Sequence, residues 1–274
     1  MRHRPACVAA LLLTGASCTI IDRTPPADAV YSSGCGEVHE AERGLVAHTL
    51  EVEGETRRYW LRLPDSYDPN YPFALALMLH GSGGIGPDLY ALDGMVEQAA
   101  LDALLVYPDA GAPTGWDTRA DSPDLTFLSA LIAELEASYC VDESRVMVAG
   151  HSSGGSMANE LACTLGPESL ALVGSYAGDG PRATSCAGPV PAWIGHSPLD
   201  FKVPIGKGRE SRDQWAAENE CSEASESALA GTCIAYACEA APLWWCEHET
   251  AEIIAHDWPK FAAPSLWAAF NERE

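Results

Sequence analysis

Val146-Met147-Val148-Ala149-Gly150-His151-Ser152-Ser153-Gly154-Gly155-Ser156-Met157-Ala158-Asn159 is the stretch that decides how this chain folds. Val146–Ala149 is a short unbroken apolar run, the pattern of a strand buried on both faces. From Gly154 to Leu165 the apolar residues take helical spacing. Between the two, Gly150-His151-Ser152-Ser153-Gly154 matches G-x-S-x-G. A strand that turns at once into a helix forces unusual backbone angles at the corner, and flanking glycines leave room where a Cβ would collide. The serine hydroxyl then stands above the sheet, at a helix N-terminus that favours developing negative charge. The bland alternative is a Gly/Ser turn that merely joins two elements. With a strand before it and a helix after it, Ser152 is the candidate nucleophile.

Outward from this turn, apolar strands and amphipathic helices alternate. Leu45–Val52 and Arg57–Leu63 read as strands joined through Glu53-Gly54-Glu55. Phe73–Leu79 and Leu104–Tyr107 are strand runs, and Leu89–Leu101 and Leu125–Tyr139 have helical spacing. Downstream, Leu170–Tyr176 and Pro191–Gly195 read as strands, with helices near Gly208–Asn219 and Pro264–Phe270. The alternation predicts an α/β class: a mostly parallel central sheet with helices on both faces, an N-terminal antiparallel hairpin, and no large lid domain. In such a sheet reactive groups gather beyond the carboxyl ends of the strands. A candidate residue must therefore follow a strand.

The chain has 274 residues, within reach of one large α/β domain. Its 39 acidic residues against 16 Lys and Arg give a formal charge of -23, which repels nucleic acid and anionic lipid and suits a neutral substrate. Arg2, Arg4 and the apolar run Ala6–Leu13 read as an export signal, too short to span a membrane. Gly15-Ala16-Ser17-Cys18 resembles a lipobox with Gly15 in place of the expected Leu, so Cys18 is a candidate lipid anchor and plain secretion is the alternative. The expected organisation is a signal over 1–17, a Pro/Ser/Gly-rich tether over 18–44 and a catalytic domain over 45–274. Eight cysteines remain after Cys7 and Cys18, an even set that implies up to four disulfides in an oxidising compartment. They lack the C-x-x-C and paired-His spacing of a zinc site. Cys140 precedes a strand and Cys163 ends the helix after it, which makes them an expected pair.

Leu79-His80-Gly81-Ser82-Gly83-Gly84 closes the Phe73–Leu79 strand. In the strand–serine–helix arrangement one oxyanion donor comes from this loop and another from the residue after the nucleophile, so the backbones of Ser82 and Ser153 are the candidates. His80 precedes the serine, the wrong order for a base in this arrangement, and is expected to buttress the loop. The acid should follow a later strand. Asp200, after Pro191–Gly195, is preferred to hold the base in its correct tautomer, with Asp179 as the competitor. For the base, His256 in Ile253-Ile254-Ala255-His256-Asp257-Trp258-Pro259 competes with His248, which is flanked by Glu247 and Glu249 in a segment that reads as exposed. Trp116, after the Leu104–Tyr107 strand, either lines a substrate cleft or is a packed loop aromatic.

With these residues placed, the chain resembles the feruloyl esterase and poly(3-hydroxybutyrate) depolymerase group of carbohydrate esterase family 1, within the α/β-hydrolase superfamily. The resemblance runs from about Ser33 to Phe270. It rests on Ser33-Gly34-Cys35-Gly36, Arg58-Tyr59-Trp60-Leu61-Arg62-Leu63-Pro64, Leu79-His80-Gly81, Gly115-Trp116 and Cys140-Val141-Asp142-Glu143-Ser144-Arg145-Val146. Ser152-Ser153-Gly154-Gly155, Glu160-Leu161-Ala162-Cys163 and His256-Asp257-Trp258-Pro259 complete the series. The chain departs from it at Gly195-His196-Ser197-Pro198-Leu199-Asp200, where the group has His-Gly-Thr-x-Asp, and at Ala255, where it has glycine. The resemblance implies an exported serine esterase working through an acyl-enzyme, without cofactor or metal. Its implied substrates are feruloyl or acetyl esters on plant polysaccharide, with polyester as the alternative. A peptidase and a non-catalytic surface lipoprotein are the more distant readings, and no obligate protein partner is implied.

Overall fold

The computed structural model describes residues 24–39, 42–229, 233–248 and 255–272, with backbone alone at 8–9, 18–19 and 223–229. The expected export signal, the side chain of Cys18 and the apolar Ile253-Ile254 pair lie outside the residues described in full. The elements in chain order are β1 (Val46–Val52), β2 (Glu55–Arg62), β3 (Phe73–Leu79), α1 (Gly86–Tyr90), α2 (Met95–Ala99), β4 (Ala103–Pro108), α3 (Pro123–Ser138) and β5 (Val141–His151). There follow α4 (Ser153–Leu165), β6 (Leu172–Tyr176), β7 (Ala192–His196), α5 (Ile205–Glu218), β8 (Cys221–Leu229), β9 (Cys233–Cys238), β10 (Leu243–Glu247) and α6 (Ala262–Asn271).

Ten strands form one sheet in the order β8-β9-β10-β7-β6-β5-β3-β4-β2-β1. The six from β10 to β4 are parallel, and antiparallel pairs close both ends. The β1–β2 hairpin turns through Glu53 and Gly54, both at positive φ (52° and 85°), as a two-residue turn that matches strand twist requires. The unbroken apolar run of β3 is explained by burial on both faces. Leu75, Leu77 and Leu79 pack with Phe127 and Leu131 of α3, Met157 and Leu161 of α4 and Trp215 of α5. Ala74, Ala76 and Met78 face Leu89, Met95 and, from α6, Leu266 and Phe270. Each fully buried large apolar side chain contributes roughly 1.5–3 kcal/mol, so the central strands anchor the domain.

Three expectations are corrected. First, the Leu89–Leu101 helix is two helices of five residues each, α1 and α2, broken at Asp93-Gly94. Gly94 takes φ +72° and the Asp93 carboxylate accepts the Met95 N–H at 2.9 Å, so the chain restarts rather than continues. Second, the strands β8, β9 and β10 follow α5 where none was expected. β8 reads Cys221-Ser222-Glu223-Ala224-Ser225-Glu226-Ser227-Ala228-Leu229, with no apolar alternation to signal a strand. Disulfides hold this edge: Cys221–Cys238 joins β8 to β9, and Cys233–Cys246 joins β9 to β10.

Third, Cys140 pairs with Cys35 and Cys163 with Cys186, not with one another. The N-terminal segment crosses the start of β5 and takes Cys140 there. The Ser32 N–H donates to the Val141 carbonyl at 3.0 Å, Ser32 Oγ donates to the Tyr139 carbonyl at 2.8 Å, and Gly34 N–H to the Glu136 carbonyl at 2.9 Å. Residues 30–36, expected in the tether, are thus bonded to the domain. The Cys35–Cys140 bond spans 105 residues, and a loop of that size restricts the unfolded chain by about 4–5 kcal/mol in the chain-entropy account. The four disulfides among the described residues fit a protein that folds outside the reducing cytosol.

Asp93 provides a test of this packing. Burial pushes its carboxyl up to about 7, outweighing the Met95 N–H and the Tyr107 hydroxyl, which favour the charged form. An acid whose folded pKa is raised holds its proton longer in the folded state. Its contribution to stability is full below the unfolded value near 4 and is lost as pH rises towards 7. Asp93→Asn cannot ionise and keeps an oxygen for the Met95 N–H. Relative to wild type it should gain roughly 2–3 kcal/mol between pH 5 and pH 8, measured by denaturant unfolding at both. A difference that stays constant with pH would show that Asp93 does not titrate abnormally.

Candidate active site

β5 ends at His151 and α4 starts at Ser153, so Ser152 alone makes the turn, at φ 55° and ψ -120°. A serine with positive φ is strained, and the surroundings hold it there: its N–H donates to the Tyr176 carbonyl at 2.8 Å. Glycine is required on both sides of the turn. A Cβ on Gly150 would strike the backbone of Gly154, and one on Gly154 would strike the carbonyls of Leu79 and His80. This close crossing of α4 over the end of β3 lifts the Ser152 hydroxyl clear of the sheet.

Two other strand ends meet it. Asp200 lies in the loop after β7, and His256 lies beyond β10. His256 Nε2 is 3.0 Å from Ser152 Oγ, and His256 Nδ1 is 2.7 Å from Asp200 Oδ2. The other carboxylate oxygen of Asp200 accepts the N–H groups of Lys202 (2.8 Å) and Val203 (3.0 Å). Burial opposes the charge of Asp200, but the His256 hydrogen bond and these two backbone donors outweigh it and hold the carboxyl below its ordinary value. Asp200 is therefore ionised at neutral pH, which fixes the His256 proton on Nδ1 and leaves Nε2 free to accept one from the serine.

Ser82 sits in the loop after β3, and Ser153 is the first residue of α4, where a backbone N–H has no partner within its helix. The two face each other across Gly115: a Cβ there would lie 2.7 Å from Ser82 Oγ and 2.8 Å from Ser153 Oγ. His80 supports that loop, donating from Nδ1 to the Gly81 carbonyl at 2.8 Å and accepting the Ala110 N–H at Nε2 (3.1 Å). Trp116 is buried and donates from Nε1 to the His80 carbonyl at 2.8 Å, while still bordering a cleft. It is both packed and cleft-lining.

The competitors lie elsewhere. Asp179 is exposed, and its N–H donates to Ser156 Oγ at 2.8 Å, whereas Asp200 is the carboxylate bonded to His256. His248, expected to be exposed, is buried at 7 % and sits 3.0 Å from the Tyr176 hydroxyl, its ring against Phe261. Its ring is turned to Tyr176 rather than to Ser152. Sequence reasoning also passed over His196, which is fully buried behind Asp200, with Nε2 donating to the Val203 carbonyl at 2.9 Å. Burial lowers its pKa and keeps it neutral. Its position four residues before Asp200 in a post-strand loop was the available signal.

Two clefts flank the serine. The smaller, about 410 Å³, is lined by Ser82, Leu89, Leu92, Ser152, Val203 and His256. The larger, about 810 Å³, runs from Trp116 and Ser153 past Asp179 and Arg182 to Lys207 and Gln214. Hydroxyl, imidazole and carboxylate in hydrogen-bonded sequence, at the carboxyl ends of a mostly parallel sheet, define an α/β-hydrolase fold.

Comparison with known proteins narrows the class. No family model matches the chain. It is 30% identical over 224 residues to feruloyl esterase D of Neurospora crassa, covering 75% of this chain and 74% of the relative. It is 31% identical over 202 residues to a probable feruloyl esterase C of Aspergillus niger, covering 71% of each. Among solved structures, the acetyl xylan esterase of Aspergillus awamori superposes with a TM-score of 0.63 at 14% identity, covering 82% of this chain and 99% of that one. The CE1 ferulic acid esterase of Anaeromyces mucronatus superposes with a TM-score of 0.56 at 16% identity, covering 93% and 95%. At those identities the structures show the shared fold alone. The chain belongs to the feruloyl esterase family and is a carboxylic ester hydrolase.

Proposed function

We propose that the enzyme hydrolyses feruloyl or acetyl esters on plant polysaccharide by two-step acyl transfer, with Ser152 as nucleophile, His256 as base and Asp200 as the acid that orients it. The observation that carries this is the unbroken chain of hydrogen bonds from Ser152 Oγ through both nitrogens of His256 to Asp200. His256 takes the serine proton as Oγ attacks the ester carbonyl. The Ser82 and Ser153 N–H groups receive the oxyanion, preorganised before the charge develops. His256 then protonates the departing alcohol, and water repeats the sequence to free the acid. The names of the relatives support the acyl group, and the strongly acidic surface suits an uncharged polymer.

A polyester substrate is the second reading, favoured by an exposed apolar side chain that lines the smaller cleft and two more in the Asp200 loop. Leu92 is 72% exposed, and Phe201 and Leu199 in the Asp200 loop are 76% and 55% exposed. Rates on methyl ferulate, acetylated xylan and hydroxybutyrate oligomers separate the two. Release of ferulate or acetate at least tenfold faster than hydroxybutyrate supports the polysaccharide reading, and the reverse order replaces it. Export with a lipid on Cys18 also belongs to this proposal, supported by the Gly15-Ala16-Ser17-Cys18 sequence and the four disulfides. Cys18→Ala should move the protein from the detergent to the aqueous phase. An unchanged partition would leave plain secretion.

A further inference from the structure

His256 stands on a loop that needs holding if its ring is to stay within hydrogen-bond reach of Ser152. One support reaches its backbone carbonyl directly. His151, the residue before the nucleophile, places Nε2 2.7 Å from the His256 carbonyl oxygen. A carbonyl can only accept, so the proton of His151 is on Nε2 and Nδ1 carries the lone pair. Burial holds the His151 pKa down to about 4, which keeps the ring neutral at working pH. The ring lies 4.9 Å from that of His256 and stacks on Tyr176 at 6.0 Å. A Cβ on Gly81 would lie 3.1 Å from His151 Nδ1, so the same ring also abuts the loop that carries Ser82. Two other anchors among the described residues of the segment are longer: the Tyr176 hydroxyl donates to the Ala255 carbonyl at 3.4 Å, and Trp258 Nε1 to the Asp93 carbonyl at 3.0 Å.

Two adjacent residues thus grip one. Ser152 meets the side chain of His256 at 3.0 Å while His151 meets its main chain at 2.7 Å. We propose that His151 is a positioning residue that locks the base onto the nucleophile, so that the distance from Ser152 Oγ to His256 Nε2 is set by the strand end itself rather than by the loop that carries His256. This rests on the acyl-transfer reading above and adds to it a residue that touches no substrate. Reactivity of this kind is sensitive to small displacements, because a misplacement of about 1 Å can cost a hundredfold in rate.

The test compares His151→Phe, which keeps a ring but has no N–H, with His151→Gln, whose amide can donate to the same carbonyl. Both are assayed on a chromogenic acetyl ester beside wild type and Ser152→Ala, with Tm measured for each. The expected result is a 10- to 100-fold fall in kcat for His151→Phe, with KM within about twofold, and recovery to within about fivefold of wild type in His151→Gln. The inference is overturned if His151→Phe keeps kcat within twofold. It is equally overturned if both variants fall together, since the hydrogen bond would not then be what matters, or if the loss follows a matching drop in Tm. Wild type no faster than Ser152→Ala would defeat the acyl-transfer reading instead, which keeps the two failures apart.

Discussion

Ser152→Ala should lower kcat for ester hydrolysis by about 10⁵–10⁶-fold while leaving Tm within a few degrees of wild type. The size follows from what the residue does: without the hydroxyl no acyl-enzyme forms, and only binding and the oxyanion donors remain to accelerate attack by water. The structural neutrality follows from the turn. Ser152 holds its place through main-chain groups, its N–H on the Tyr176 carbonyl and its carbonyl accepting the Ser156 N–H at 3.0 Å. Alanine has the same Cβ and meets the same backbone strain at φ 55°, so the substitution removes only the oxygen that faces His256. Steady-state kinetics with a chromogenic short-chain ester, paired with thermal unfolding, measures both quantities.

Asp200→Asn should cost about 10⁴-fold in kcat, with the fold intact. Oδ1 of Asp200 accepts two backbone N–H groups, from Lys202 and Val203, and Oδ2 faces His256 Nδ1 at 2.7 Å. An asparagine keeps its oxygen on the two backbone donors, since an amide NH₂ there would confront them. Its NH₂ is then turned towards His256 and donates to Nδ1. The histidine proton moves to Nε2, where it blocks acceptance of the Ser152 proton. Asp179→Asn is the matching control. That side chain lines the larger cleft beside Lys207, so the substitution should change KM by a few-fold at most and leave kcat within about threefold. Rates that fall for Asp179→Asn and hold for Asp200→Asn would reverse the choice between the two acids.

The sequence disclosed the parts of this molecule that depend on local pattern. The G-x-S-x-G turn is readable because its glycines answer to backbone collisions a few residues away. β3 is readable because burial on both faces leaves no polar position in Phe73–Leu79. Asp200 and His256 were legible through chain order and the strand ends they follow. What escaped depends on contacts far apart in the chain. Cys35 reaches Cys140 across 105 residues, and nothing in the spacing marks that partner. The β8 sequence is polar along much of its length, and a disulfide ties its first residue, Cys221, to β9. His248 is flanked by acids, which reads as exposure, yet the fold turns its ring inward to Tyr176 and Phe261. His151 sat inside the motif and went unassigned because its role is visible only once the His256 carbonyl is seen beside it.

The central claim is that Ser152, activated by His256, carries the acyl group. Intact-protein mass spectrometry after rapid quenching with a feruloyl ester tests it most directly. Wild type should gain the mass of one feruloyl group, mapped by peptide digestion to Ser152 and absent from Ser152→Ala. Turnover without any such adduct, or an adduct mapped to another residue, would contradict the account.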